Sequence, residues 1–374
     1  MCEGNDLVKT KRAVLVVALA SVLLLASCST DEAADGTPSA TAAPAVVVNL
    51  NQMQVIGSHN SYHVEQPADV LAGYASAVPS AVELSYGHEP LAEQFSNQGV
   101  RQIELDIYAD PNGDLWRPIG TTGYKVLHIE QIDELSTCEV FVACLEQVKA
   151  WSDANPTHLP IAILVEVKDT VDFPVPPDPL PVGSAELMAL DDEIRSVFAP
   201  DDLITPDDVR GERATLEQAV LTDGWPSLVD IQGRVMFLLD NKRDEYVAND
   251  PTLAGRVIFP PSEPGLPDAA FIKRNDPEGE NLAQIQELVR AGYVVRTRAD
   301  GPVLTPRDEG TAQLEAALAS GAQWVSTDYP VPGLASRWGD GTYVAAIPGG
   351  MPARCNPINA PEGCTEAVLA QLGT

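Results

Sequence analysis

Short runs of apolar and β-branched residues alternate along this chain with longer stretches in which apolar residues recur at helical spacing. The runs predict eight strands, over residues 53–56, 100–107, 125–129, 161–165, 235–239, 270–272, 292–295 and 323–325. The helical stretches lie at residues 91–98, 140–155, 184–198, 214–220, 281–291 and 311–320. Alternating strands and helices indicate βα units and a parallel sheet. Eight such strands predict an α/β fold, a TIM-type (β/α)8 barrel with its functional groups at the carboxyl ends of the strands.

The beginning of the chain does not follow this pattern. Basic residues precede an apolar run at residues 13–25, which is short for a membrane span and indicates an export signal over residues 1–27. Small residues before Cys28 are typical of bacterial lipoprotein signals, so we predict that Cys28 is lipidated; an ordinary secretory signal is the alternative. Residues 28–46 are rich in Ala, Thr, Ser, Asp and Pro and are expected to form a disordered tether. Residues 47–374 are then expected to fold as a single barrel domain.

The charge of the chain limits its partners. The formal net charge is −31, and the absence of a basic stripe in the sequence argues against nucleic acid as a partner. The acidity also weakens attraction to anionic lipid. A lipid on Cys28 would nevertheless hold the protein at a membrane. We therefore expect an exported monomer, either anchored on the outer face of the cell membrane or secreted.

Four cysteines of the predicted folded part occur as two local pairs. Cys138 lies near Cys144, and Cys355 lies near Cys364. In an oxidising compartment these local pairs are the expected disulfides. Buried free thiols are the alternative, and metal ligation is less favoured because no histidine cluster accompanies the thiols.

Polar side chains appear where four successive apolar strands end. They are His59, Asn60, Glu104, Asp106, His128 and Glu166. The spacing of two between Glu104 and Asp106 puts both carboxylates on one face of a strand, where they need a compensating charge. Three carboxylates and the Asn60 amide are hard oxygen ligands, which favour calcium over magnesium. A structural ion pair of the two acids with Arg101 or Lys125 is the alternative.

Three further histidines carry less weight. A histidine after a strand is more often a satisfied polar residue than a catalyst, and this is how we interpret His63, His88 and His158. His59 and His128 differ because each lies in the same ordered set as the acids.

In this order, the set resembles the calcium-dependent phosphoinositide phospholipase C family, especially its compact bacterial members that consist of a catalytic barrel alone. Residues 57–60 match the family's first histidine and its calcium-binding amide, and residues 101–106 match the strand with two acidic ligands. His128 matches the second histidine, and Glu166 matches the last ligand. Weaker agreement continues through residues 224–226, 237–242 and 326–330, so the resemblance spans nearly the whole predicted folded part.

The resemblance implies a calcium-dependent phosphodiesterase that cleaves phosphatidylinositol-type lipids to diacylglycerol and a cyclic or acyclic inositol phosphate. It implies that His59 is an acid/base and that His128 is an acid or charge stabiliser; Glu104 or Glu166 as the base stays open. Basic groups at strand ends would hold phosphate or sugar hydroxyls, and an aromatic ring would stack on the sugar. The candidates for these substrate contacts are Lys168, Lys242, Arg296 and Tyr329, with structural salt bridges or packing as the alternative.

Two other functions stay open at this level. A glycerophosphodiester hydrolase also places His-Asn and Glu-x-Asp early in a barrel, although the position of His128 after the paired acids favours the phospholipase pattern. A surface lipoprotein that binds sugar or lipid phosphate without turnover is the second, but such a protein does not need a paired acid and base.

Overall fold

Strands and helices alternate through most of the chain, as the apolar pattern predicts. The computed structural model describes residues 46–116, 119–170, 177–301 and 310–373. The predicted signal segment, Cys28 and the tether up to residue 45 lie outside the described residues. From Val46 onward the chain belongs to one compact unit.

The folded part contains strands and helices of very different lengths. The strands, in chain order, are β1 (Met53–Ser58), β2 (Gln102–Asp110), β3 (Gly123–Val126), β4 (Ile161–Val167), β5 (Leu203–Ile204), β6 (Val235–Leu239), β7 (Ile258–Phe259), β8 (Phe271–Lys273), β9 (Val294–Arg298), β10 (Trp324–Thr327) and β11 (Ala353–Cys355). The helices are α1 (Ala68–Ala77), α2 (Leu91–Asn97), α3 (Phe141–Ala154), α4 (Ser184–Val197), α5 (Pro206–Arg210), α6 (Leu216–Thr222), α7 (Arg243–Val247), α8 (Glu280–Ala291), α9 (Ala312–Ser320) and α10 (Glu366–Leu372).

Eight of these strands form the barrel. Parallel pairing runs in the order β7, β6, β4, β2, β1, β10, β9, β8. A parallel bridge between Pro261, just after β7, and Phe271 in β8 joins the two ends of this order. The ring is thereby closed, and the predicted TIM-type (β/α)8 fold class is confirmed. Because the strands are parallel, their carboxyl ends meet on one face of the barrel.

One of the predicted barrel strands is wrong. Residues 125–129 were expected to form the third barrel strand, but β3 pairs antiparallel with the end of β2, with Tyr108 opposite Lys125. The long β2 extends past the barrel rim, and its last residues form this hairpin instead. The missing barrel strand is β7, whose two residues precede two prolines and are too short to produce a recognisable apolar run. His128 therefore follows a hairpin, not a barrel strand.

The core lies inside the barrel and between the barrel and its helices. The strands β4 and β6 are buried almost throughout, as expected for a parallel sheet covered on both faces. The helix α3 shows how a helix covers the outside: Phe141, Leu145 and Val148 are fully buried at a spacing of three to four residues. Replacing Leu145 with alanine would cost about 2 to 5 kcal/mol of stability.

Both predicted disulfides are present. Cys138 is bonded to Cys144 in the first turn of α3, and Cys355 of β11 is bonded to Cys364. No helix within the described ranges has the length and apolar character needed to span a bilayer.

Candidate active site

A cavity of about 490 Å³ lies at the carboxyl ends of the barrel strands. Its lining includes several of the residues expected from the sequence, namely His59, Asn60, Asp106, His128, Glu166 and Lys168. Residues that are far apart in the sequence thus meet in one place, because each lies near the carboxyl-end face of the barrel, on a barrel strand or just after a strand.

Three of the candidate oxygen ligands, Asn60, Asp106 and Glu166, line this cavity. Glu104, Asp106 and Glu166 each contribute a carboxylate oxygen to a cluster whose atoms lie within 4.8 Å of one another. Asn60, directly after β1, has a φ of 45°, a left-handed conformation that asparagine tolerates better than most residues. Its Nδ2 donates to the hydroxyl of Tyr86 at 2.8 Å. Its Oδ1 and the Oδ1 of Asp106 are buried and accept no hydrogen bond from any described residue.

The cluster is electrostatically unfavourable without a cation. Burial, reinforced by neighbouring carboxylates, raises the pKa of Glu104 to about 8 and the pKa of Asp106 to about 7. Buried oxygen atoms without partners, all of the hard type, are the donor set that calcium takes in proteins. The residues therefore fit a calcium ion.

Two basic side chains already contact the acids. The Nζ of Lys168 lies 2.9 Å from Oε1 of Glu166 and 3.1 Å from Oδ2 of Asp106. The guanidinium of Arg296 donates to Oε2 of Glu104 at 2.6 Å, and both of these side chains are almost completely buried. The carboxylates are thus shared between structural cations and the candidate calcium site.

His59 is held by a carboxylate on the neighbouring strand. Its Nδ1 lies 2.8 Å from Oδ1 of Asp328, just after β10. A carboxylate at this position accepts the Nδ1 proton, which leaves Nε2, 3.9 Å from Glu104, as the free nitrogen. Burial, with the charge of Arg298 next in weight, lowers the pKa of His59 to about 3. In this environment the imidazole is neutral at neutral pH and able to accept a proton at Nε2.

His128 is held by a different carboxylate. Its Nδ1 lies 2.8 Å from Oδ2 of Asp133, and the same oxygen lies 2.7 Å from Nε2 of His63. His63 is fully buried and stacks on Tyr86 with ring centroids 4.3 Å apart. No pattern in the sequence favoured His63, because the turn that brings Asp133 to it has no recognisable motif.

The predicted substrate contacts lie at different distances from the cavity. Lys168 lines it, and Lys242 lines a neighbouring polar cavity of about 590 Å³, where its Nζ is 2.5 Å from Oδ2 of Asp169. Arg296 is not among the cavity-lining residues, because it is buried among Glu104, Asn275 and Ser326. Tyr329 is also buried outside the lining, with its ring edge-on to Tyr343.

The structure adds residues that the sequence did not single out. Arg298, two positions after Arg296 on β9, lines the cavity, as does Tyr86. The alternation of a strand places Arg296 and Arg298 on the same side, but only the fold tells which one reaches the cavity. Asp328 was recognisable as an acid at a strand end but is equally typical of a turn.

A barrel with two carboxylate-held histidines beside a cluster of hard oxygen ligands defines a class of metal-dependent enzymes acting on phosphate esters. Comparison with known proteins agrees. The family described as phosphoinositide phospholipase C, Ca2+-dependent, matches residues 48–121 and 117–357. The chain belongs to this family.

Solved structures show the same fold. A calcium-dependent phosphoinositol-specific phospholipase C from a Gram-negative Pseudomonas species, described as apo form and myoinositol complex, superposes with a TM-score of 0.53 at 17% identity, covering 83% of this chain and 96% of the other. A Ca2+-dependent phosphatidylinositol-specific phospholipase C from Streptomyces antibioticus gives a TM-score of 0.50 at 20% identity, covering 75% and 95%. No curated protein matches the chain.

These findings confirm three expectations from the sequence: the family, the enzyme class of phosphoric diester hydrolases, and calcium as the cofactor. The roles of individual residues and the substrate of this chain are a separate question.

Proposed function

We propose that this protein is a calcium-dependent phospholipase C that cleaves phosphatidylinositol-type lipids to diacylglycerol and an inositol phosphate. It acts as a monomer, through one catalytic domain formed by residues 47–374. Asn60, Glu104, Asp106 and Glu166 would hold the calcium ion, and His59 and His128 would carry the acid/base chemistry. The observation that carries the proposal is that both histidines, Asn60, Asp106 and Glu166 line one cavity, and that Glu104 lies in one carboxylate cluster with Asp106 and Glu166.

The chemistry follows from the state of each side chain. A bound calcium ion would lower the pKa of the attacking inositol hydroxyl and neutralise charge on the phosphoryl oxygens. The free Nε2 of His59 takes the proton of that hydroxyl, whose oxygen forms the new bond to phosphorus. As the bond from phosphorus to the diacylglycerol oxygen breaks, His128 donates a proton to that oxygen. Arg298 and Lys168, which both line the cavity, would contact the phosphate.

The shape of the cavity supports a lipid substrate. Part of its lining is formed by apolar residues of α1, of the turn that follows α1, and of the segment after β3, including Ala77, Val78, Leu84, Ile129 and Ile132. Val78 is 39% exposed. A lining with both polar and apolar residues suits a molecule with a charged head group and an apolar body.

The test is turnover of phosphatidylinositol vesicles with added calcium and with a calcium chelator. We expect release of inositol phosphate and diacylglycerol only with calcium. Release of glycerol 3-phosphate from deacylated lipid, with no action on phosphatidylinositol, would instead indicate a glycerophosphodiester hydrolase. Calcium binding without hydrolysis of any phosphodiester in a broad panel would contradict the enzymatic function.

The role of His59 is tested by His59→Ala. This variant should lose activity but keep its calcium affinity in calorimetry and its melting temperature, since His59 is not a proposed ligand. His158→Gln is a suitable control, because His158 contacts Ser152 and the carbonyl of Leu159 far from the cavity lining. It should keep its turnover. Comparable turnover in His59→Ala would exclude the assigned role.

Export and anchoring are part of the proposal. The apolar segment before Cys28 and the two disulfides support an exported protein with a lipid on Cys28. In a bacterial host, mass spectrometry of the full chain should show a lipid attached at Cys28, and Cys28→Ser should carry none. A full chain that is cleaved and exported without a lipid would argue for an ordinary secretory signal.

A further inference from the structure

The buried carboxylate of Asp133 contacts two imidazoles through one oxygen. Oδ2 lies 2.8 Å from Nδ1 of His128 and 2.7 Å from Nε2 of His63, and neither Asp133 nor His63 is exposed. A carboxylate accepts hydrogen bonds, so each of these nitrogens carries a proton. His128 and His63 thus donate to the same atom.

We propose that Asp133 is a positioning residue that fixes the ring orientation and tautomer of His128, and that His63 holds Asp133 in place. The inference rests on the proposed catalytic role of His128. It gives a role in catalysis to Asp133 and His63, which do not line the cavity.

The contact between His128 and Asp133 is built into a tight turn. The backbone N–H groups of His128 and Ile129 both donate to the carbonyl of Asp133, at 3.2 and 3.1 Å. The N–H of Asp133 donates back to the carbonyl of Ile129 at 2.8 Å. Gln131, within the turn, has a φ of 59°. These bonds set the two side chains beside each other independently of the barrel.

His63 ties this turn to the calcium ligands. Its backbone N–H donates to the carbonyl of Asn60 at 2.8 Å, and its ring stacks on Tyr86, which accepts a hydrogen bond from the Asn60 amide. The backbone of His63 also bridges to Ser136 beyond the turn. His63 therefore joins the end of β1, where Asn60 lies, to the segment that carries Asp133.

The arrangement has a consequence for catalysis. With Nδ1–H bonded to Asp133, the other nitrogen of His128 lies on the opposite side of the ring, and His128 lines the cavity. A carboxylate that only stabilised the fold would not determine which nitrogen of His128 faces the cavity.

The main test is Asp133→Asn in the folded protein with calcium. We expect kcat on phosphatidylinositol to fall about 100-fold with little change in KM, because orientation and charge are lost while substrate contacts remain. Nitrogen-15 NMR of the wild type should show His128 as a single species protonated at Nδ1. The Asp133→Asn variant should lose that signature or show a weakened Nδ1 hydrogen bond.

Variants of His63 give a second line of evidence in case Asp133→Asn is unstable. His63→Gln keeps an N–H near the position of Nε2 and should keep most of the activity. His63→Phe keeps the ring stacked on Tyr86 but has no donor, and it should lower kcat about tenfold. Equal kcat values for the Gln and Phe variants would contradict the holding role of His63.

Asp191→Asn is the matched control. Asp191 is also buried, and it accepts from Tyr246 and Arg256 between α4 and α7. Its replacement should lower the melting temperature and leave kcat unchanged.

The failure of this inference can be told apart from failure of the proposed function. If His128→Ala is inactive while Asp133→Asn keeps wild-type kcat and an unchanged His128 NMR signature, the positioning role is wrong and the catalytic role of His128 stands. If His128→Ala itself keeps full turnover, the proposed chemistry is wrong and the positioning role falls with it.

Discussion

The two histidines at the cavity are held by different parts of the molecule. His59 and its partner Asp328 follow β1 and β10, two barrel strands that pair in parallel up to the residues just before them. His128 and its partner Asp133 lie on one turn after β3, outside the ring of eight strands. One pair therefore depends on the pairing of two barrel strands, and the other depends on a local turn that His63 joins to the segment after β1.

The surroundings of the two carboxylates also differ in charge. A guanidinium nitrogen of Arg298 lies 3.8 Å from Asp328 and 3.5 Å from Nδ1 of His59. The side-chain partners that the described structure gives Asp133 are the two imidazoles. Loss of the Asp328 charge leaves the guanidinium of Arg298 beside His59. Among the described residues, no lysine or arginine forms an ion pair with Asp133, so loss of the Asp133 charge leaves no such cation beside His128. This difference makes the two pairs experimentally separable.

The largest effect is expected for Asp328→Asn. The variant loses the negative charge that faces Nδ1 of His59 and leaves Arg298 to oppose protonation of His59, so kcat/KM should fall about 1,000-fold. Turnover of phosphatidylinositol measures this change, and calcium affinity by calorimetry should stay within a few-fold. A loss no larger than that of Asp133→Asn would show that the barrel-held pair and the turn-held pair are equivalent.

The same difference explains how far the sequence could predict the site. A polar residue at the end of an apolar run is recognisable, which is why the candidate oxygen ligands and His59 could be placed at one face of a barrel. His128 was identified for a partly wrong reason, since its strand is not in the barrel. The contact between Asp133 and His63 could not be predicted from the sequence. The turn that joins the hairpin to α3 has no hydrophobic periodicity and no recognisable motif.

The depth of a side chain within the barrel was the other feature that the sequence could not predict. Arg296 and Arg298 share one side of β9, and the sequence favoured Arg296 as a substrate contact. In the fold, Arg296 lies deeper and meets Glu104, which is 192 residues away in the chain. The position of a side chain along the barrel axis depends on the pairing register of the strands, and the alternation of Arg296 and Arg298 along one strand does not reveal that register.

Lys168→Met is expected to have a smaller effect than Asp328→Asn, and the quantity that changes is the affinity for calcium. The ammonium of Lys168 uses oxygen atoms of Asp106 and Glu166 that belong to the proposed ligand set. An ammonium and a divalent cation a few ångströms apart repel each other, so removal of the ammonium should raise calcium affinity about tenfold, or about 1.4 kcal/mol. Calorimetric titration with calcium measures this without any turnover.

Lys242→Met is the matched control for that measurement. Lys242 is paired with Asp169 and Glu245, which are not proposed ligands. Its calcium affinity should equal that of the wild type. If Lys168→Met leaves the affinity unchanged or weakens it, Lys168 does not share the oxygen atoms of the calcium site.

The smallest effect on kcat is expected when one of the two disulfides is removed, and it should differ between them. Each closes a short loop, and replacing either pair with serine should cost about 2 to 3 kcal/mol of stability in the chain-entropy account. Cys138 follows the segment in which Ser136 bridges to His63 and the N–H of Thr137 donates to the carbonyl of Tyr62. Loss of the Cys138–Cys144 bond should therefore also loosen the support of Asp133 and lower kcat about fivefold.

Loss of the Cys355–Cys364 bond, at β11, which pairs antiparallel with the first residues of β1, should lower only the melting temperature. Melting curves and kcat of the two double-serine variants, measured side by side with calcium, decide the matter. Equal kcat values would mean that the turn holds Asp133 and His128 without help from the disulfide. A lower kcat in the Cys355/Cys364 variant alone would instead place the sensitive support of the site at β1, on the side of His59.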